Sequence, residues 1–409
     1  MPSYTIRERL EWQRWVTPKP LKTKPVHRWY TFPHSFTNEL VHALIEEWNL
    51  GKDDYILDPF VGAGTTLLAA KEKSVPATGY DLSPIAVFVT AAKLFDYDLP
   101  ILKNAWNKLK GTLDPSQWNE SAKRYSELIY KALPGKLLGA FEAVDQEIAN
   151  LSVSDGERSF FRLALIATIP RYSRAVATGG WLKWVEKEEY ASTLLSALSN
   201  CVHIMLEDIR ETPVFHHSLW HVFQADARAL PDATRTYSAV ITSPPYPNRH
   251  DYTRVFGVEL MFGFLNWEET RQLRYQSFHS HPEARPKRPE TTEYRQPHLL
   301  THTIAQIQDK TKNPRIPRML EGYFLDMYLS LREVRRVCRG HARIAFVVGN
   351  AQYYGEPILV DELTAEIGEQ AGLYCKDILV ARYRGNSAQQ MGKYGRNLSR
   401  ESIVVFNVL

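Results

Sequence analysis

The sequence predicts an α/β fold in which one seven-stranded, Rossmann-like sheet carries a helical insertion and a basic loop region. Two observations predict it. Short apolar segments that end at Asp58, Asp81 and Asp226 alternate with helical segments, as they do in parallel sheets that bind nucleotides. Residues 101–215, in contrast, contain only long amphipathic stretches without a strand pattern, which indicates a helical insertion between the second and third strands.

These patterns divide the chain into five parts. An N-terminal arm and the first two strands occupy residues 1–100, and the helical insertion occupies residues 101–215. The third and fourth strands lie within 216–266, and a basic segment rich in proline and histidine covers 267–318. The last three strands lie within 319–409.

Hydrophobic periodicity places each element in order. Gly340 is expected to stop the long helix before it, and the last two strands are expected to form an antiparallel pair. The predicted elements are helix Leu40–Trp48, strand Tyr55–Leu57, helix Leu67–Lys71, strand Ala77–Tyr80, helices Ile101–Trp118, Glu120–Leu133, Lys136–Asn150, Glu157–Ile169 and Glu188–Arg210, strands Trp220–Ala225 and Ser238–Thr242, helix Leu320–Cys338, and strands Ala342–Val348, Lys376–Ala381 and Ser402–Val408.

The composition excludes a membrane-spanning protein. Of 409 residues, 44% are hydrophobic and 23% charged, and no apolar run approaches the roughly 18 residues that a membrane span needs. The polar, aromatic N-terminus is not expected to be a secretory signal. Cys201, Cys338 and Cys375 lie too far apart for a Cys-based zinc site or a disulfide framework, so a reducing cytoplasm is the expected location.

A histidine-based metal site is not predicted either. His216, His217 and His221 include a pair spaced four residues apart, but neither a third ligand nor an adjacent glutamate follows.

Positive charge is concentrated in three segments, although the formal net charge of the chain is only +4. Residues 1–30 carry seven Lys/Arg and two acids between tryptophans, which fits an arm packed on the domain better than a phosphate-binding arm. Residues 267–318 hold ten Lys/Arg and six Asp/Glu, and residues 381–400 hold five basic residues and no acid. Both are expected to be loops at the carboxyl edge of the sheet, where phosphate contact and an ordinary solvated face remain open alternatives.

A glycine turn follows the first predicted strand, in the sequence Asp58-Pro59-Phe60-Val61-Gly62-Ala63-Gly64-Thr65-Thr66. Gly62 and Gly64 let the backbone approach a ligand closely, and the helix that follows offers free N–H groups. A P-loop is excluded because no Gly-Lys-Ser/Thr sequence follows. An NAD fingerprint is weak because Leu67 stands where its third glycine belongs.

Three acids at successive strand ends favour a cationic nucleoside without phosphate. Asp58 would repel a pyrophosphate but attract an ammonium group. Asp81 is placed to bind ribose hydroxyls, and Asp226 to accept a hydrogen bond from an adenine amino group. Each acid alone is better explained as a loop residue or a helix cap, but together they predict S-adenosylmethionine as cofactor.

The sequence Thr242-Ser243-Pro244-Pro245-Tyr246 follows the fourth strand. Paired prolines fix the backbone, so that Ser243 Oγ and the Pro244 carbonyl can both accept hydrogen bonds from one exocyclic amino group. These bonds localise the lone pair with which the nitrogen attacks a methyl group. The ring of Tyr246 offers a stacking surface to an unstacked base, worth about 1–3 kcal/mol. A plain proline turn with a packed tyrosine is the alternative, and the nearby glycine turn disfavours it.

Together these motifs resemble those of the DNA amino-methyltransferases, which modify N4 of cytosine or N6 of adenine. The glycine turn is similar to their motif I, residues 79–84 to their ribose-binding motif, and residues 226–227 to their adenine-contacting pair. Residues 242–246 resemble their catalytic motif, and residues 30–36 resemble the element that lines the methionine end of the cofactor. The resemblance implies a class I methyltransferase sheet and base flipping.

The resemblance also implies roles for individual residues. Catalytic roles fall to Ser243, Pro244, Pro245 and Tyr246. The implied cofactor-binding residues are Phe32, Pro33, Asp58, Pro59, Phe60, Gly62, Gly64, Thr65, Thr66, Asp81, Leu82, Asp226 and Ala227. Contacts with DNA are expected from Asn248, Arg249, Tyr252, Arg254, Arg384, Lys393 and Arg396, and an ordinary helix start is an equal alternative for the first four.

Serine before Pro-Pro-Tyr is commoner in the cytosine-N4 enzymes of this family. We therefore expect a site-specific methyltransferase that acts on cytosine N4 in duplex DNA, paired with a cognate restriction endonuclease. An adenine-N6 enzyme, an RNA methyltransferase and a catalytically silent nucleic-acid-binding module remain alternatives. Target recognition is assigned to residues 101–215, to residues 267–318, or to both.

Overall fold

The strands were traced in a computed structural model that describes residues 4–178, 181–187, 190–212, 219–385, 395 and 398–409. They are β1 (Thr5–Glu8), β2 (Ile56–Asp58), β3 (Ala77–Asp81), β4 (Ala175–Thr178), β5 (Trp181–Trp184), β6 (Trp220–Gln224), β7 (Tyr237–Thr242), β8 (Cys338–Gly349), β9 (Ala351–Tyr353), β10 (Glu356–Ile358), β11 (Tyr374–Gly385) and β12 (Leu398–Asn407). The main sheet has the order β1-β11-β12-β8-β7-β2-β3-β6, and β4–β5 and β9–β10 form two hairpins.

All seven predicted strands lie in the main sheet, which confirms the predicted Rossmann-like fold. Strands β6, β3, β2, β7 and β8 are parallel, and β12 runs antiparallel to β8 and β11, as predicted for the last pair. Leu57 of β2 pairs with Thr78 of β3 on one side and with Val240 of β7 on the other. The chain therefore reverses its winding direction at β2, and a crevice opens at the carboxyl ends of β2 and β7.

The N-terminal arm adds an eighth strand that the sequence did not predict. Residues Thr5–Glu8 pair in parallel with β11 at the edge of the sheet. All four are exposed, so they lack the apolar alternation that identifies a strand. Farther along the arm, Trp12 and Trp29 are buried, so this segment packs on the domain as expected.

Helices cover both faces of the sheet and build the insertion. They are α1 (Asn38–Glu47), α2 (Thr65–Glu72), α3 (Pro84–Leu94), α4 (Leu99–Thr112), α5 (Glu127–Ala132), α6 (Lys136–Ala149), α7 (Asp155–Tyr172), α8 (Leu194–Glu211), α9 (Tyr252–Val255), α10 (Gly257–Gly263), α11 (Trp267–Gln276), α12 (His298–Lys310), α13 (Arg315–Val337) and α14 (Val360–Gln370). None of the helices in the described ranges is long and apolar enough to cross a membrane.

The predicted insertion is helical, but α4 ends at Thr112 rather than at 118, α8 begins at Leu194 rather than at 188, and two further features differ. Helices α4 to α8 pack around fully buried aromatic side chains such as Phe141, Phe160 and Phe161. Residues 120–126 are not helical, so α5 is shorter than predicted. The hairpin β4–β5 follows α7, and its Trp184 is 38% exposed, whereas the sequence suggested buried tryptophans here.

The prediction of a loop over residues 267–318 was wrong, because this segment contains α11 and α12. Asn266 and Glu269 form a reciprocal capping box at the start of α11. In α12, Leu300, Ile304 and Ile307 are buried at helical spacing. Both signals are present in the sequence, but the high density of charge and proline obscures them.

Two further boundaries differ from the prediction. Gly340 does not stop the helix before it: α13 ends at Val337, since Cys338 is already extended and begins β8. The segment 381–400 is not a loop at either end, because β11 continues to Gly385 and β12 begins at Leu398.

Candidate active site

The glycine turn joins β2 to α2 and forms one wall of a cavity at the carboxyl edge of the sheet. Gly64 has a left-handed backbone (φ +81°), and a Cβ there would lie 2.8 Å from Thr90 Oγ1, so glycine is required. The backbone N–H of Gly62 donates to Asp81 Oδ2 at 3.0 Å. The acid at the end of β3 therefore fixes the turn that follows β2.

Two carboxyl groups at neighbouring strand ends lie in this cavity. Asp58 Oδ1 accepts hydrogen bonds from Thr242 Oγ1 at 2.6 Å and from the N–H of Phe60 at 3.1 Å. Asp81 Oδ1 accepts from the N–H of Ser83 at 2.9 Å. Burial raises the pKa of each carboxyl to about 6, because desolvation disfavours the charged form.

Most residues predicted to bind a cofactor line this one cavity. They are Phe32, Pro33, Asp58, Pro59, Phe60, Gly62, Thr65, Asp81, Leu82, Asp226 and Ala227. The other two lie behind its wall: Gly64 precedes α2, and Thr66 Oγ1 donates to the Ile241 carbonyl of β7 at 3.0 Å. Tyr252, predicted to contact DNA, lines the same cavity.

Asp226 differs from the other two acids because a cation already pairs with it. Its carboxylate accepts hydrogen bonds from Arg228 Nε at 2.9 Å and Arg228 Nη2 at 2.7 Å. Arg228 is buried and also pairs with the fully buried Asp326. The Asp226 side chain is therefore fixed in place at the cavity wall.

The predicted catalytic motif, residues 242–246 (hereafter the catalytic corner), lies between this cavity and a second one. Ser243 and Pro245 line the cavity that Asp58 and Gly62 line, and Pro244 is buried behind them. Tyr246 lines the adjacent cleft, and the residue as a whole is only 6% exposed. Burial raises the pKa of its phenol above the usual value of 10, so the hydroxyl stays protonated.

The adjacent cleft holds some of the residues predicted to contact DNA. Asn248, Arg249 and Arg384 line it together with Tyr246. Arg254 instead pairs with acids of its own surroundings, Asp251 at 3.2 Å and Glu283 at 3.3 Å. Lys393 and Arg396 lie outside the described residues.

A histidine pair that the sequence did not single out lies where the two cavities meet. The Nε2 atoms of His34 and His250 are 3.1 Å apart, and the His34 ring centroid lies 5.8 Å from that of Tyr246. Burial lowers the pKa of His34 to about 4, so this imidazole is neutral at neutral pH. The two histidines are 216 residues apart in the chain, so only the fold reveals the pair.

A buried lysine also supports the cavity. Lys93 Nζ donates to the carbonyls of Ala63 at 2.9 Å, Tyr30 at 2.6 Å and His27 at 3.2 Å. Burial lowers the pKa of this amine to about 7. The lysine joins the glycine turn to the segment that lines the opposite wall.

No metal centre is evident in the described part of the chain, where no three His, Cys, Asp or Glu side chains converge. His216 and His217 lie outside that part.

Comparison with known proteins places the geometry in context. A family model described as DNA methylase, for N6 and N4 methyltransferases, matches residues 8–90. The chain is 29% identical to the Type II methyltransferase M.BsoBI of Geobacillus stearothermophilus over 94% of this chain and 86% of that protein. It is 26% identical to the Type II methyltransferase M.AvaI of Nostoc sp. over 94% of this chain and 87% of that protein.

A solved structure, TrmN from Thermus thermophilus, aligns with 91% of this chain and 49% of its own, with 12% identity and a TM-score of 0.30. The family match and the two relatives confirm the resemblance that the motifs predicted.

Proposed function

We propose that the chain is a DNA amino-methyltransferase, like the proteins its motifs and relatives resemble, and that it transfers a methyl group from S-adenosylmethionine to the exocyclic N4 amine of cytosine in duplex DNA. One observation carries the proposal: the two strand ends that this reaction requires are hydrogen-bonded neighbours. Thr242 Oγ1 donates to Asp58 Oδ1 at 2.6 Å. The next residue, Ser243, opens into the cavity that Asp58 and Gly62 line.

The cavity fits S-adenosylmethionine by the chemistry of its lining. Asp58 and Asp81 suit an ammonium group and ribose hydroxyls, and Phe32 and Phe60 offer apolar surface to the uncharged parts of the cofactor. Its described lining includes neither Lys nor Arg, so a pyrophosphate would meet the carboxyls of Asp58, Asp81 and Asp226 and no cation in that lining. When bound, the cofactor supplies an electrophilic methyl group on a sulfonium.

The catalytic corner would then orient the nucleophile. Ser243 Oγ and the Pro244 carbonyl accept hydrogen bonds from the target amine, so its lone pair points towards the neighbouring cavity. Held by a lining that includes Asp58 and Asp81, the cofactor would supply the methyl group to this lone pair, and the proton displaced from the amine would leave to solvent. Tyr246 packs against the flipped base.

We assign the adjacent cleft to the target strand. Arg249 and Arg384 place positive charge in its lining beside Tyr246, where an extruded nucleotide would bind. The relatives with full-length similarity are type II methyltransferases, so we propose that this enzyme protects cytoplasmic DNA from a cognate endonuclease. The serine in Ser243-Pro244-Pro245-Tyr246 favours cytosine N4 over adenine N6.

Product analysis tests the proposal. The protein is incubated with isotope-labelled S-adenosylmethionine and mixed-sequence duplex DNA, and the nucleosides are identified by mass spectrometry. We expect N4-methylcytosine at a defined sequence. N6-methyladenine, label in RNA alone, or no label at all would each overturn it.

Variants test the two halves of the site separately. Tyr246→Ala should reduce turnover at least about tenfold with little change in cofactor affinity, because about 1–3 kcal/mol of stacking is lost. Asp58→Ala should weaken cofactor binding instead. Tyr374 provides the control. It is 39% exposed at the start of β11, whereas Arg384, which lines the cleft, lies near the end of that strand. Tyr374→Ala should match the wild type. Normal turnover by Tyr246→Ala would show that the cleft assignment is wrong.

A further inference from the structure

Gly349 at the end of β8 lets the ring of Tyr246 and the guanidinium of Arg384 lie close together in the lining of the adjacent cleft. A Cβ on Gly349 would lie 2.9 Å from Tyr246 Cε2 and 3.1 Å from Arg384 Nη2. No larger residue fits there without moving one of the two groups. Arg384 is thus a direct neighbour of the surface assigned to the flipped base.

The Arg384 side chain is held in place from behind. Its Nη2 donates to the Asn350 carbonyl at 3.1 Å, and its Nη1 lies 3.5 Å from Glu401 Oε1. Glu401 is 4% exposed and also pairs with Arg382 Nε at 2.8 Å. A guanidinium has five N–H donors in a planar fork, so these contacts fix its orientation and leave donors for a ligand in the cleft.

We propose that Arg384 determines base specificity by donating two hydrogen bonds to the N3 and O2 atoms of the target cytosine. The inference rests on the proposed function. When Ser243 Oγ and the Pro244 carbonyl hold N4, the next two atoms along the same edge of the base are N3 and O2, and both are acceptors. A guanidinium fork complements two adjacent acceptors.

Adenine presents a different edge to the same arginine. Beyond its N6 amine lies one acceptor, N1, followed by a C–H group that accepts nothing. One arm of the guanidinium then stays unpaired in a partly desolvated cleft, which is the kind of mismatch by which enzymes reject analogues strongly. Arg384 therefore explains a preference for cytosine that the serine of the catalytic motif only suggests.

A cycle of protein and substrate changes tests this contact. One duplex carries cytosine at the mapped target position, and the other carries a 2-aminopyridine nucleoside, which keeps the amine and ring nitrogen but lacks O2. We expect wild-type kcat/KM to fall about 10- to 100-fold on the analogue, as for loss of a hydrogen bond to a charged group. Arg384→Met should be slow on both duplexes and differ less than about twofold between them.

Arg382→Met is the matched control. Arg382 pairs with the same buried Glu401 as Arg384 does, but it does not line the cleft. This variant should keep the wild-type ratio between the two duplexes. Arg384→Lys keeps the charge and loses the fork, so it should resemble Arg384→Met in this ratio. Cofactor affinity and the unfolding midpoint of each variant establish that it is folded.

Two results would overturn the inference. In the first, Arg384→Met and Arg384→Lys both retain the full wild-type discrimination, which means that another group contacts O2. In the second, Arg384→Met binds both duplexes more weakly by the same factor, and its DNA affinity depends less steeply on salt concentration than that of the wild type. This behaviour indicates a phosphate contact. If wild-type product is N6-methyladenine, the proposed function itself fails, and product analysis shows this before any variant is made.

Discussion

At the scale of single residues, Asp58 and Asp81 give the cofactor cavity a dependence on pH. Burial raises the pKa of each carboxyl from 3.8 to about 6, so both are largely protonated at pH 5. Because the folded-state pKa is the higher one, the stability that these groups contribute is greatest below about pH 4 and is lost as the pH rises through 6. A cationic ligand has the opposite preference, since it binds the ionised carboxylates.

We therefore predict that S-adenosylmethionine binds about tenfold more weakly at pH 5 than at pH 7.5. With a pKa of about 6, roughly one carboxyl in ten is ionised at the lower pH. Titration calorimetry across this range measures the change, and its heat in buffers of different ionisation enthalpy reports the protons released. Asp58→Asn should flatten the dependence. Equal affinity at both pH values in the wild type would contradict the assignment of these acids.

Much of this cavity could be predicted from sequence because its residues are contiguous with strand ends. Asp58, Gly62 and Asp81 are recognised by local spacing alone, and parallel strands then bring them together. The hydrogen bond from Thr242 to Asp58, which joins the two motifs, follows only once β7 is known to lie next to β2. The pairing of His250 with His34 could not be predicted in this way, because the two residues are 216 positions apart and only the fold brings them together.

At the scale of elements, strands were predicted more reliably than the polar helices. The parallel strands are short apolar runs with distinct ends, so the sequence pattern identifies them without knowledge of the tertiary packing. Helix α11 was missed because most of its residues are polar and only Thr270 and Leu273 are buried, so the helix lacks a clear apolar periodicity. Strand β1 was missed for the same reason: it is held by backbone pairing to β11 rather than by side-chain burial.

The hairpin β4–β5 is the element we expect to engage DNA. It packs against α9, the short helix that follows the catalytic motif and begins at Tyr252. Trp184 lies on the hairpin and is partly exposed, with Lys131 Nζ 4.3 Å from its ring centroid. An exposed aromatic beside a cation suits contact with a nucleic acid.

We predict that Trp184→Ala weakens duplex DNA binding about tenfold, the equivalent of roughly 1–2 kcal/mol of stacking, and leaves cofactor affinity unchanged. Fluorescence anisotropy with a labelled duplex measures the loss. Trp267→Ala is the matched variant, because Trp267 is 47% exposed at the start of α11 in the other candidate recognition segment. If Trp267→Ala weakens binding and Trp184→Ala does not, recognition belongs to residues 267–318 instead.

At the scale of the whole molecule, the N-terminal arm connects the sheet to the helical insertion. Its first residues extend the sheet as β1, and its residues 32–36 form one wall of the cofactor cavity. Between them, the fully buried Asp208 of α8 accepts hydrogen bonds from the N–H of Val26 at 2.9 Å and from Trp29 Nε1 at 2.9 Å. Arg28 pairs with the same carboxylate at 2.6 Å.

Because one carboxylate receives all these donors, its loss should be felt both in folding and at the cofactor cavity. We predict that Asp208→Asn lowers the free energy of unfolding by about 3 kcal/mol, since an uncharged amide leaves Arg28 and a buried N–H unpaired. Urea denaturation measures this change. Calorimetry should also show weaker S-adenosylmethionine binding, because Trp29 lies three residues before Phe32, the first residue of this segment that lines the cavity. Glu46→Ala, which removes an exposed partner of Lys73, should leave both quantities unchanged. An Asp208→Asn protein as stable as the wild type would mean that β1 and the tryptophans hold the arm without this carboxylate.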